Sequence, residues 1–152
     1  MLKRQEKIYF MIPYLIPFNR VGDFVLGDNI KNLLINFSFK VIDFSHDEAA
    51  PSINYSVNNP QITLYVSNGK IDFIGCYEEL LYNGINLIGI TIEQFCSILD
   101  TTYTEVDIVD FEADEIPQYI YEFESVGLQV WVKGNKGKIV SIMVNSKEHY
   151  LD

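Results

Sequence analysis

The chain has 152 residues, 48% of them hydrophobic, and a formal net charge of −10. That length holds one ordinary domain with a real core, and the negative charge argues against nonspecific nucleic-acid binding, which needs Lys and Arg to displace counterions from phosphate. Ten Tyr and ten Phe favour strands with a few helices, and no run approaches the roughly 20 apolar residues of a membrane helix.

Lys3, Arg4 and Lys7 precede Ile8–Ile12 in a way that loosely resembles a signal peptide, but Pro13 and Pro17 interrupt the apolar run. Residues 8–18 are therefore expected to enter the fold as a strand or extended arm at a sheet edge. A turn-rich stretch, 19–27, leads to a first predicted helix over about 29–37, capped by Asp28 or Asn29. Its apolar positions Ile30, Leu33, Leu34 and Phe37 have helical spacing. Weak alternation over 39–44 predicts a strand, and a polar loop follows over 45–52. Strands are expected at 53–57, 62–66 and 71–77, the last two joined through Asn68-Gly69, a strong two-residue hairpin signal. Asn83-Gly84 marks a turn in the join between halves, 78–86. The spacing of Ile92, Phe95, Cys96 and Leu99 predicts a second helix over about 91–99, with Thr91 and Gln94 placed for a capping box. An acidic segment, 101–118, reads as a loop or an edge strand around 106–111. Strands are expected at 119–124, 128–132 and 139–144, and the polar tail from Ser146 is expected to fray.

The stretch from Leu87 to Val144 repeats the one about sixty residues before it. Gly27 answers Gly89, Tyr65 answers Trp131, and Gly69-Lys70-Ile71 answers Gly137-Lys138-Ile139. The predicted fold is α+β: two similar halves, about 18–77 and 84–144, each a helix followed by three antiparallel strands, sharing one domain over 1–152. Period-two geometry points Ile62, Leu64, Val66, Leu128, Val130 and Val132 at the helices, and Tyr65 and Trp131 at the opposite sheet face.

The start Gly89-Ile90-Thr91-Ile92-Glu93-Gln94-Phe95 resembles the helix start of tandem-repeat proteins such as the β-lactamase inhibitory proteins. It also resembles that of small outer-membrane assembly lipoproteins of the BamE type. Both resemblances imply a helical segment on a short antiparallel sheet. The second half, through Asn86–Thr91 and Gly127–Val132, is similar to small acidic immunity proteins of bacterial polymorphic-toxin and contact-dependent growth inhibition systems. That likeness implies a cytoplasmic protein that binds and blocks one cognate toxin.

Between Ile71 and Val132 there are thirteen Asp and Glu and no Lys or Arg. Glu105, Asp107, Asp110, Glu112, Asp114 and Glu115 form the densest part, interleaved with Val106, Ile108, Val109 and Phe111. With Glu122, Glu124 and Trp131 they make a candidate surface for a basic protein such as a nuclease-type toxin domain; the plainer reading is a solvated acidic loop. An EF-hand fails on spacing, because the glycine it needs at the sixth position is Glu112 counted from Asp107 and Glu115 counted from Asp110. Ser45-His46-Asp47 is no triad, since adjacent residues on an extended chain point apart. With two histidines and no Cys-x-x-Cys, no transition-metal site is expected. Cys76 and Cys96 supply no disulfide framework, and an intracellular chain is expected. The function expected is a non-catalytic immunity protein without cofactor, acting on a basic toxin domain and not on nucleic acid or membrane. The alternative is a scaffold or assembly protein that uses its sheet face or edge.

Overall fold

The computed structural model describes residues 11–110 and 116–151. Three two-residue strands open the fold: β1 (Leu15–Ile16), β2 (Arg20–Val21) and β3 (Phe24–Val25) form a small antiparallel sheet. They are followed by β4 (Lys40–Phe44), β5 (Ser52–Val57), β6 (Ile62–Ser67) and β7 (Lys70–Cys76). The hairpin β8 (Leu81–Tyr82) and β9 (Ile85–Asn86) leads to α1 (Ile92–Leu99). The chain ends with β10 (Glu105–Val109), β11 (Gln118–Phe123), β12 (Leu128–Lys133), β13 (Ile139–Asn145) and a 3-10 turn over Lys147–Tyr150.

The expected α+β architecture of two helix-plus-sheet halves does not form. Of the described residues 46% are in strands and 11% are helical, with one α-helix. Each half contributes four strands rather than three. They join in one antiparallel eight-stranded sheet of order β10-β11-β12-β13-β7-β6-β5-β4.

The first predicted helix fails for a local reason. Only Ile30–Asn32 forms a 3-10 turn, and Leu34 and Ile35 are exposed. Asp28 Oδ1 accepts from the Asn29 N–H (2.9 Å) and from Asn32 Nδ2 (2.8 Å), while Asn29 Oδ1 accepts from the Lys31 N–H (3.0 Å). Short polar side chains that bond the nearby backbone compete with helical hydrogen bonds, and the few residues left cannot offset the cost of nucleation. The second predicted helix does form. Thr91 Oγ1 accepts from the Gln94 N–H and Gln94 Oε1 accepts from the Thr91 N–H, a complete capping box. Asp100 closes it in a left-handed conformation.

Although one half has a helix and the other a turn, the segments leading into them dock identically. The Gly27 N–H donates to the Ile71 carbonyl and the Ile71 N–H returns to the Asp28 carbonyl (2.8 and 3.0 Å). The Gly89 N–H donates to the Ile139 carbonyl and the Ile139 N–H to the Ile90 carbonyl (both 2.8 Å). Gly27 and Gly89 have φ of +84° and +95°, which a side chain would strain. Both long hairpins shift register at matching places, between Tyr65 and Val66 and between Trp131 and Val132. The Asn68-Gly69 and Asn83-Gly84 turns both have positive φ at each residue, as two-residue hairpin loops demand.

Opposite residues on neighbouring strands share a sheet face, so the register defines an inner face. One row is Ile62, Cys76, Ile142, Val130 and Tyr121; the next is Leu64, Ile74, Val144, Leu128 and Phe123. All ten are buried. Leu15, Val21, Phe24, Ile30, Leu33, Leu80, Leu87, Phe95 and Leu99 complete this core. Phe24, Phe37 and Phe39 cluster under the first half, and Phe95, Phe123 and Tyr103 under the second.

Replacing Ile142→Ala, at the centre of the sheet, deletes buried apolar volume from a row closed on every side. The expected loss is about 3 kcal/mol, typical of large-to-small core changes. Urea unfolding should show a lower midpoint with an unchanged slope.

Candidate functional site

The outer face of the same sheet carries the predicted site residues. Glu105 lies opposite Glu122, which lies opposite Gln129; Asp107 lies opposite Ile120, which lies opposite Trp131. Glu105, Asp107, Glu122 and Trp131 therefore share one face of β10–β12. Asp110 follows β10 and Glu124 lies in the turn after β11, both exposed. Glu112, Asp114 and Glu115 lie outside the described residues. The acidic segment, read from sequence as loop or edge strand, is an edge strand over Glu105–Val109.

These side chains form a connected network. Trp131 Nε1 donates to Gln129 Oε1 (2.9 Å), and Gln129 Nε2 donates to Glu122 Oε1. Glu122 Oε2 is buried and makes no hydrogen bond of good geometry, although the Tyr150 hydroxyl interacts with this carboxylate. Glu122 and Trp131 are half-buried, whereas Glu105 and Asp107 are exposed. The face thus grades from an anchored carboxylate beside a tryptophan to free carboxylates at the sheet edge.

Tyr150 and Asn145 complete this corner, and sequence reasoning missed them. The tail expected to fray instead turns back, and Asn145 Nδ2 donates to the Tyr150 hydroxyl (3.2 Å). Burial pushes the Tyr150 phenol up to about 12, and the charges of Glu122 and Glu124 add to the effect. The available signal was an aromatic residue in a mostly polar tail.

The first half fills the equivalent face differently. Tyr65 stacks on Phe73, with ring centroids 4.3 Å apart, and its hydroxyl meets that of Tyr77 at 2.6 Å. Burial, then the hydrogen bond to Tyr65, raises the Tyr77 phenol. Gly75 makes room for that contact: a Cβ there would stand 2.8 Å from the Tyr77 hydroxyl.

Other residues singled out in the sequence do not converge. Asp43 Oδ1 accepts from the Ser45 N–H and Asp47 Oδ1 from the Ala49 N–H, so the Ser45–Asp47 loop is held by local turns. Both cysteines are free thiols, with Cys76 raised by complete burial. Among the described residues no cluster of His, Cys, Asp and Glu is arranged to hold a metal ion, and no helix is long and apolar enough to cross a membrane. No protein-family model matches the chain, no curated protein matches its sequence, and no solved structure matches its fold.

The raised Tyr150 phenol has a pH consequence. Unfolded tyrosine ionises near pH 10, so the folded state holds this proton more tightly. Its stabilising effect is complete below about pH 10 and is lost as pH rises through about 12. Tyr150→Phe should flatten the fall of stability over that window in denaturant titrations, leaving the part due to Tyr77.

Proposed function

We propose that the protein is a non-catalytic immunity-type inhibitor that binds a basic toxin domain through the acidic outer face of β10–β12 and blocks its active site or substrate path. The observation that carries this reading is the placement of Glu105, Asp107, Glu122 and Trp131 on one face, where the cation of β10–β12 is Lys133 at the far end, opposite Gln118. A toxin domain that handles phosphate must carry positive charge, so carboxylates can occupy its site and steer encounter. Trp131, held in orientation by Gln129, supplies the rigid aromatic anchor common at interface centres. Such a protein would work in the cytoplasm, where an incoming toxin meets its target.

The alternative is a scaffold role through apolar edge contacts. It draws support from β4, where Val41, Ile42 and Phe44 are exposed on the sheet's other edge strand. Salt separates the two readings, because exposed charges are screened beyond about 8 Å at physiological ionic strength and apolar contacts are not.

The test is co-expression with the protein encoded immediately upstream, followed by capture at low and high salt. The expected result is a salt-sensitive complex that removes the partner's toxicity. Glu105→Lys, Asp107→Lys and Asp110→Lys together should slow association by roughly tenfold to a hundredfold at low salt. Stopped-flow binding measures this, and an unchanged rate would remove this face from the interface.

A further inference from the structure

The strand that bears the acids is also an edge, and its two faces differ. Among the described residues β10 pairs only with β11. No described strand pairs with the backbone N–H and C=O groups of its other side, a row of the kind that templates another strand. On the outer face this edge carries Glu105 and Asp107. On the inner face it carries Val106 and Ile108, 43% and 62% exposed, opposite Tyr121 and Tyr119. Near Tyr121 lies a cavity of about 490 Å³, lined by Ile92, Cys96, Tyr103 and Tyr121 and, on its polar side, by Thr91, Glu93, Asn135 and Lys136. Tyr103 packs edge-on against Tyr121, with centroids 4.8 Å apart, and remains partly exposed.

We propose that β10 receives a ninth strand from its partner: an extended segment with Lys or Arg at alternate positions and apolar residues between them. This rests on the acidic-face reading above and specifies how that face is used. A strand laid along β10 places every second side chain on each face. Its cations then fall beside Glu105 and Asp107, and its apolar residues fall on Val106 and Ile108, on the face that carries Tyr121 and Tyr119. Its backbone satisfies the open row, while the pockets for alternate side chains set specificity. A second copy of β10 fits badly, because pairing two such strands brings carboxylates of both copies onto one face. The opposite edge, β4, mixes Lys40 with Asp43 and offers no such charge preference.

The probe is a short synthetic peptide alternating Lys and Val. Its controls are a peptide of the same composition with the lysines in a block, and two N-methylated forms with methyls on the Lys amides or on the Val amides. Alternate amides of a strand point to opposite edges, so only one methylated form should lose pairing. The expected result is salt-sensitive binding of the alternating peptide to the intact protein, with slowed exchange of alternate amides along residues 105–109, those turned away from β11. One methylated form should bind at least about tenfold more weakly while the other is unaffected, as loss of backbone hydrogen bonds on one side requires. Ile108→Lys, an exposed change, should weaken binding by a similar factor.

Equal binding of the block peptide, equal effects of the two methylation patterns, or no protection along β10 would overturn the proposal. So would a dimer that already protects these amides without peptide. Should the peptide fail while the upstream partner still forms a salt-sensitive complex lost on charge reversal, strand addition falls and the acidic-face reading stands. Failure of both removes that reading as well.

Discussion

The structure depends on the junction between β7 and β13. Four opposed pairs, from Cys76 with Ile142 to Phe73 with Asn145, join two four-stranded units edge to edge. The buried rows run straight through it, with Ile74 beside Val144 on the inner face and Gly75 beside Met143 on the outer. A slip of one residue here would send every side chain of one half to the wrong face. The inner rows and the covering segments, from Phe24 to Phe95, pack in only one register. The outer face inherits that register, and among the described residues no layer of strands or helices covers it.

Two similar halves therefore present two different chemistries on one continuous surface. The first half closes its outer face with Tyr65, Phe73 and Tyr77, which satisfy one another. The second places Trp131, Gln129 and Glu122 there, joined by hydrogen bonds, with Tyr150 beside the Glu122 carboxylate. Beyond it lie the exposed carboxylates of β10. The hairpins that build the two faces share the same register shift and the same docking of Gly27 and Gly89. The difference lies in the side chains and in the net charge they carry.

Much of this was legible in the sequence, for physical reasons. Strands with alternating apolar residues declared their buried faces, and Ile62, Leu64, Val66, Leu128, Val130 and Val132 are all buried. Asn-Gly pairs marked turns because few residues accept positive φ. The helix at 92–99 announced both its stripe and its cap. The stretch 29–37 had the same stripe but failed, because periodicity does not register the competition from Asp28, Asn29 and Asn32 for the backbone. The joining of two sheets into one was hidden for a different reason. The partners of β7 and β13 lie about seventy residues apart, and no local pattern encodes such a pairing. The acids of β10 were visible as a charge run, but their alignment with Glu122 and Trp131 required the register. The docked tail escaped notice because one tyrosine in polar surroundings carries little signal.

The account turns on whether partner contact falls on the β10–β12 face, and the single tryptophan reports on it. Caesium quenching of Trp131 fluorescence should be measured on the free protein and on its complex with the upstream-encoded partner. An acidic face concentrates caesium, so the free protein should quench readily, and the complex should be shielded. A complex that forms while Trp131 quenches as before would place the contact elsewhere and contradict the account.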